Sequence, residues 1–238
     1  MIKHIFVFEP PDMILLDRWY FRTHSKECLR FFRPWLRRYD TYRSCETPPE
    51  ADAFGVRRGR LTELWYDSVE DFIECHPSER PFTPIDPPAA PPKTPLKPTA
   101  ISLVPAMPTE DFLGKEPSPA AGPFLRWYQV IRYPRGVSLA EGEKWYLDTH
   151  SPEAARQPGL LKHTSHRALD NPPIETPFHR VTEMWYANFD AWRTAVIDSP
   201  PNYTPPPWAG EAPFVRMAST FVPDEPDVDF LRDDPIAP

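Results

Sequence analysis

The chain opens on an alternating apolar run. Lys3–Glu9 is rich in Ile, Phe and Val with a period of two, which predicts a first strand. Pro10-Pro11-Asp12 makes a turn, with Asp12 placed to cap a helix over about Met13–Thr23. Leu15, Trp19 and Arg22 fall on one side of that helix, with Leu16 and Tyr20 beside them, a 3.6-residue period that puts His24 at its C-terminal end. Lys26–Phe32 adds a further helical turn, and Pro34 stops it. Leu36–Cys45 is a second strand, Glu46–Arg58 a Pro- and Gly-containing loop, and Arg60–Tyr66 a third strand. Asp67–Cys75 is a helix with Val69, Phe72 and Ile73 on one face. A proline-rich loop over Pro77–Pro98 leads to a fourth strand, Thr99–Val104.

The same order then returns. Leu125–Tyr133 is a strand, and Ser138 with Glu141 forms a capping box for a helix through about Thr149. Leu161–Leu169 and Arg180–Tyr186 are strands, Phe189–Ile197 a helix and Val215–Val222 the last strand. Residue identities recur as well. Lys144-Trp145-Tyr146-Leu147-Asp148-Thr149-His150-Ser151-Pro152-Glu153 repeats Arg18-Trp19-Tyr20-Phe21-Arg22-Thr23-His24-Ser25-Lys26-Glu27, and Thr182-Glu183-Met184-Trp185-Tyr186 repeats Thr62-Glu63-Leu64-Trp65-Tyr66. Ala218–Pro223 loosely echoes Ala100–Pro105. The offsets are 126, 120 and 118 residues, so element order is kept and only loop lengths differ. Three matches in register point to a duplicated domain, and two copies are too few for a solenoid.

Each half therefore reads β-α-β-β-α-β, an α+β ferredoxin-like repeat. The predicted organisation is a first repeat over residues 1–106, a Pro-rich linker over 107–123, a second repeat over 124–223 and an acidic tail over 224–238, a strap or a disordered end. A sheet of this topology carries helices on one face only, so its other face needs cover. The expectation is two sheets packed face to face around a cavity, an intrachain pseudo-dimer, with a further homodimer left open.

Composition narrows this little. Of 238 residues 35 are Pro, concentrated in loops, and the formal charge of −7 gives no general attraction to nucleic acid or anionic lipid. Cys28, Cys45 and Cys75 form neither a disulfide framework nor a metal-ligand spacing, which suits a reducing, cytoplasmic compartment. The apolar start is too short for a signal peptide, and no stretch approaches a membrane span. With 8 Gly and no Gly-rich phosphate loop or nucleophile elbow, the chemistry expected is acid/base chemistry without an organic cofactor.

Thr149-His150-Ser151-Pro152-Glu153, then Pro158-Gly159-Leu160-Leu161-Lys162-His163, then Glu183-Met184-Trp185-Tyr186 resembles the EthD family of dimeric α+β barrel proteins. The first half departs from the pattern, with Lys26 where the motif has proline and Trp35 where Pro-Gly-Leu has glycine. The resemblance implies a barrel fold shared by cofactor-free cyclases, decarboxylases, isomerases and oxygenases and by haem enzymes. It does not choose among those reactions.

His150 and His24 stand at equivalent positions in the repeat. An imidazole titrates near neutral pH and suits a general acid/base at a cavity mouth, but a helix C-cap explains a histidine there equally well. Glu183 and Glu63 lie mid-strand beside Trp185 and Trp65, where a carboxylate is costly unless paired, so each is an acid/base, an orienter of a histidine, or half of an ion pair. His163 and His166 fall on opposite faces of their strand, and with His179 they show no metal-ligand spacing. The expected reaction centre uses His150 for proton transfer, Glu183 to share or orient that role, and His163 with Tyr128 to bind an oxyanion or carboxylate. Arg132, Tyr146, His166, His179, Trp185, Tyr39 and Trp65 complete the candidate substrate contacts. The expected substrate is a small aromatic or enolisable organic acid, ketone or lactone. The alternatives are a haem-dependent or cofactor-free oxygenase and a non-catalytic small-molecule binding protein.

Overall fold

A computed structural model describes residues 1–76, 98–208 and 215–233. Most of the loop expected over Pro77–Pro98, and the end of the acidic tail, lie outside the described residues. The first half runs β1 (Ile2–Phe8), α1 (Met13–Trp19), a π-helical turn (Tyr20–His24), α2 (Ser25–Phe32), β2 (Leu36–Arg43), β3 (Arg60–Tyr66), α3 (Val69–Cys75) and β4 (Ala100–Pro105). After β5 (Glu110–Asp111) the second half runs β6 (Leu125–Arg132), α4 (Leu139–Trp145), a π turn (Tyr146–His150), α5 (Ser151–Ala154), β7 (Lys162–Arg167), β8 (Arg180–Tyr186), α6 (Phe189–Arg193) with a π turn (Thr194–Asp198), and β9 (Val215–Pro223). A short β10 (Val228–Asp229) follows.

The strands form two antiparallel five-stranded sheets, ordered β10-β2-β3-β1-β4 and β5-β7-β8-β6-β9. Apart from the two-residue β10 and β5, the four strands of each sheet have the same order, and the registers correspond. Lys3 opposes Trp65 as Arg126 opposes Trp185, and Phe6 opposes Thr62 as Gln129 opposes Thr182. The Ser138–Glu141 capping box forms as expected.

Helix 1 does not stop at the histidine in either half. The Ser25 N–H bonds back to the Tyr20 carbonyl and the Ser151 N–H to the Tyr146 carbonyl, so the π turn hands directly to the next helix. His24 and His150 therefore cap nothing. The extra residue in each turn shifts the register of everything after it, a device common at functional sites.

The halves interlock. The loop between β2 and β3, predicted as irregular, holds a 3₁₀ turn (Pro49–Phe54) that places Ala51, Phe54 and Val56 in the core of the second half. Its Cys45 N–H donates to the Phe221 carbonyl at 2.9 Å. The corresponding loop of the second half sends Leu169 and Ile174 into the first core, and the Leu169 N–H donates to Leu103 at 3.1 Å. The segments after β4 and β9 also cross over: β5 pairs with β7 and β10 with β2. Each delivers a carboxylate to a buried arginine. Arg60 Nη1 meets Asp227 at 2.9 Å and Nη2 meets Asp17 at 2.7 Å, while Arg180 bonds Glu110 and meets Glu143 at 2.6 Å.

Period-two alternation splits every strand between two environments. Ile5, Val7, Leu61, Val104, Tyr128, Val130, Val181 and Val222 meet between the sheets in one cluster drawn from both halves. Leu64, Tyr66 and Leu103 face the helices of the first half, and Trp127, Met184, Tyr186 and Phe221 face those of the second. The order is helices, sheet, sheet, helices. Among the described residues no helix is long and apolar enough to cross a membrane.

Candidate functional site

Between the sheets, where a cavity was expected, buried apolar side chains of both halves meet in one cluster. At one end lies a buried ion network built from pseudo-equivalent residues. Arg126 Nη2 sits 2.9 Å from Glu183 and 3.9 Å from Glu63, and Lys3 lies 3.5 Å from Glu63. The Trp185 indole N–H also donates to Glu183, at 3.2 Å. Burial alone would raise the Glu183 carboxyl, but Arg126, then Lys3, hold it well below the usual carboxylate range. Cations flank both tryptophans: Lys3 and Arg38 lie 5.1 and 5.5 Å from Trp65, Arg126 and Lys162 lie 5.4 and 5.0 Å from Trp185. His166 donates from Nδ1 to the Pro105 carbonyl at 2.9 Å, and burial, then Lys3, push it down to about 4, so it stays neutral. Asp40 pairs with Arg38, yet burial pushes its carboxyl up to about 6.

A cavity of about 230 Å³ lies instead on the outer face of the second sheet, under its helices. Trp127 and Gln129 of β6 and Met184 of β8 form its floor, and Trp145, His150, Gln157 and Val196 its helical wall. Phe54 closes one side from the first half. Pro200, Tyr203, Thr204, Pro205 and Pro206 lie across it as a proline-rich strap. The strap is tied down at several points. Glu153 accepts from the Thr204 N–H at 2.8 Å and from its hydroxyl at 2.6 Å; these bonds hold the carboxyl below its ordinary range. Gln157 donates to the Tyr203 hydroxyl at 2.9 Å and accepts from Tyr186 at 2.5 Å, and Trp208 packs 5.3 Å from Trp145.

His150 is the candidate that reaches this cavity. Its half-buried imidazole is layered between Trp145, at 4.9 Å and 28°, and Tyr203, at 5.4 Å and 25°. The π turn that continues the helix also aims this ring inward. Tyr146 lies next to it but is spent on structure, with its hydroxyl donating to Thr182 at 3.1 Å beneath Arg180. His163 is cross-strand to Met184, fully buried, and meets Phe112 at 4.7 Å. Burial, then the nearby His150, push it down to about 3, so it is a neutral ring. His179 is fixed at the end of the sheet, accepting from the Tyr133 N–H at 3.0 Å and stacking on that ring. Arg132, the last residue of β6, does not line the cavity.

The expected centre is thereby divided. Glu183, Tyr128, His166 and Trp185 point between the sheets; His150, His163 and Tyr146 lie on the opposite face of the same sheet. Glu183 cannot orient His150, and Tyr128 cannot join His163, because the sheet stands between them. Glu63 and Trp65 share the inter-sheet network.

In the first half the described side chains on the equivalent outer face form a buried cluster. α2 runs on to Phe32 where α5 ends at Ala154, and Phe8, Cys28, Phe32 and Phe72 pack there with Phe6 against them. His24 stacks on Trp19 at 4.5 Å, with Cys28 Sγ 3.5 Å from Nε2. Burial pushes the imidazole down to about 4 and the thiol up to about 12, the reverse of an activated thiolate–imidazolium pair. Tyr39 hydrogen-bonds the Tyr20 hydroxyl at 3.1 Å within this core.

The sequence reading missed Gln129, Trp127, Gln157, Phe54 and Tyr203. Gln129 alone left a signal, a polar residue amid the apolar run of β6 on a helix-facing position. It is 2% exposed and its amide has no hydrogen-bond partner among the described residues. Among the described residues no cluster of three or more His, Cys, Asp or Glu is arranged to hold a metal ion.

The architecture is that of the dimeric α+β barrel proteins, with both sheets supplied by one chain. Residues 4–80 match the family model described as the chalcone isomerase N-terminal domain. No curated protein matches the chain. Among solved structures, an anthrone oxidase-like protein superposes with a TM-score of 0.53 at 13% identity, over 93% of this chain and 90% of that one. Chlorite dismutase from Candidatus Nitrospira defluvii, in complex with imidazole, aligns at a TM-score of 0.40 and 9% identity over 82% of this chain and 80% of that one. At 13% identity the likeness to the anthrone oxidase-like protein is one of fold.

Proposed function

We propose that the chain is an acid/base enzyme acting, without an organic cofactor, on a small aromatic or enolisable molecule held in the outer cavity of its second half. The observation that carries this reading is His150: an imidazole in the wall of a mostly apolar cavity, fixed between two aromatic faces and covered by a tied strap. A bound substrate would lose a proton to one ring nitrogen of His150 and regain it at another atom, while the aromatic walls exclude water. Glu183 and the ion network hold the two sheets together and take no part. We read the chain as a tandem pair of EthD-like repeats in which the second retains a reaction site. The matching strand orders and the pseudo-equivalent Lys3/Arg126, Glu63/Glu183 and Trp65/Trp185 sets support that origin.

This cavity, at about 230 Å³, is smaller than the roughly 300–1,000 Å³ of ordinary ligand pockets, and among its described lining residues there is no Lys or Arg to meet haem propionates. The test of the acid/base reading is exchange of the methyl protons of 2-hydroxyacetophenone in D₂O, followed by NMR. Wild-type protein should accelerate it, and His150→Gln should lower the rate by about 10²–10⁴ with ligand affinity retained. Unchanged exchange in His150→Gln, or a wild-type protein that binds the ketone and leaves exchange at the solvent rate, would sink the reading.

A further inference from the structure

We infer that Gln129 orients and selects the ligand, and that the ligand is an uncharged, planar molecule carrying a hydroxyl or enol beside a carbonyl. The inference rests on the outer cavity being the substrate site. Its first support is the unpaired amide. Gln129 is buried at mid-strand with its side chain in the cavity floor, no hydrogen bond to its amide is found among the described residues, and several polar groups around it are already engaged. The Gln157 amide is engaged by Tyr186 and Tyr203, the Trp127 indole donates to Ser219 at 2.9 Å, and Thr204 is bonded to Glu153. A carboxamide presents a donor and an acceptor side by side, and its complement is a group that offers an acceptor and a donor at the same spacing.

Charge gives the second support. Among the described residues lining the cavity none is Lys, Arg, Asp or Glu. A carboxylate ligand would leave water for aromatic, aliphatic and amide walls with no full positive charge among them to meet it. The flat faces of Trp127, Trp145 and Phe54 favour a planar ring, and about 230 Å³ limits its size.

The first half differs at the equivalent position. Phe6 stands there, opposite Thr62 as Gln129 is opposite Thr182, and it packs against the core cluster of its own half.

The test measures binding separately from turnover. By calorimetry at pH 8, wild-type protein should bind 2-hydroxyacetophenone at least tenfold more tightly than salicylate, which has the same ring and hydroxyl but a carboxylate in place of the ketone. Gln129→Met, of nearly equal size, should weaken the ketone about tenfold, the loss of hydrogen bonding to one polar group. Gln129→Glu should reject it more strongly, with wild-type near-ultraviolet circular dichroism showing each variant folded. Salicylate binding as well as the ketone, Gln129→Met binding the ketone like wild type, or a wild-type protein that binds neither would overturn the inference. The exchange assay separates the two readings: a dead His150→Gln beside an unaffected Gln129→Met leaves the acid/base reading standing and removes this one.

Discussion

Replacing Glu183 by glutamine tests the division between the two faces of the second sheet. The carboxylate lies 2.9 Å from Arg126 Nη2 and accepts from Trp185. At that distance and an effective dielectric of about 20, the pair is worth about 6 kcal/mol before desolvation. Breaking one side of a buried pair costs about 3–5 kcal/mol. Glu63 remains 3.9 Å from the same guanidinium, which puts the expected loss near the lower end, about 3 kcal/mol, or roughly 6–12 °C in Tm for a chain of this length. The loss should depend on pH. Because the folded carboxyl lies below its ordinary value of 4.5, its stabilisation is present above that pH and disappears as pH falls through the folded value. Urea titrations of wild type and Glu183→Gln should therefore differ fully at pH 7 and converge progressively as pH falls from about 4.5 towards about 2. Binding of 2-hydroxyacetophenone and its exchange, scored per folded molecule, should not change. A stable Glu183→Gln protein that loses exchange about 100-fold would return the carboxylate to the reaction and refute the two-face argument.

Two further outcomes follow from the same geometry. Asp40 keeps its proton up to about pH 6 in the folded chain and only to 3.8 when unfolded, so wild-type stability falls as pH rises between those values. Asn lacks that slope, and Asp40→Asn should gain about 1–3 kcal/mol on wild type between pH 4 and pH 7.5 in urea titrations; an offset equal at both pH values would contradict the assignment. Phe54→Ala opens a wall built by the other half. It should cost about 1–3 kcal/mol, less than a fully buried Phe, and improve binding of 1-hydroxy-2-acetonaphthone relative to 2-hydroxyacetophenone about tenfold, whereas an unchanged ratio would mean the wall does not limit size.

Much of the fold was legible because most strands run long enough to show their period. Arg60–Tyr66 and Arg180–Tyr186 were read with their observed bounds. β5 and β10 escaped notice because two residues cannot display alternation. The helix through His24 and His150 was cut short because a π turn leaves the sequence unbroken while shifting the hydrogen-bond register. The site was only partly legible. His150 was found through its repetition, and period two already set Glu183 beside Trp185. What that alternation cannot tell is which face meets the partner sheet and which meets a helix, so residues on opposite faces were gathered into one centre. Tyr203 and Phe54 come from a proline-rich loop and a loop of the other half, and no local pattern announces a residue that travels so far.

The crossed segments also bear on solubility. An open strand edge presents unpaired N–H and C=O groups to any other chain that can add a strand. Here β2 is covered by β10 and β7 by β5, and the free sides of β4 and β9 are met by Leu169 and Cys45. Every one of those covers comes from the other half of the chain or from the segment that follows it. Either half alone would show raw edges on both sides of its sheet, so separating the two should yield aggregates, with each half serving as the other's guard against self-association.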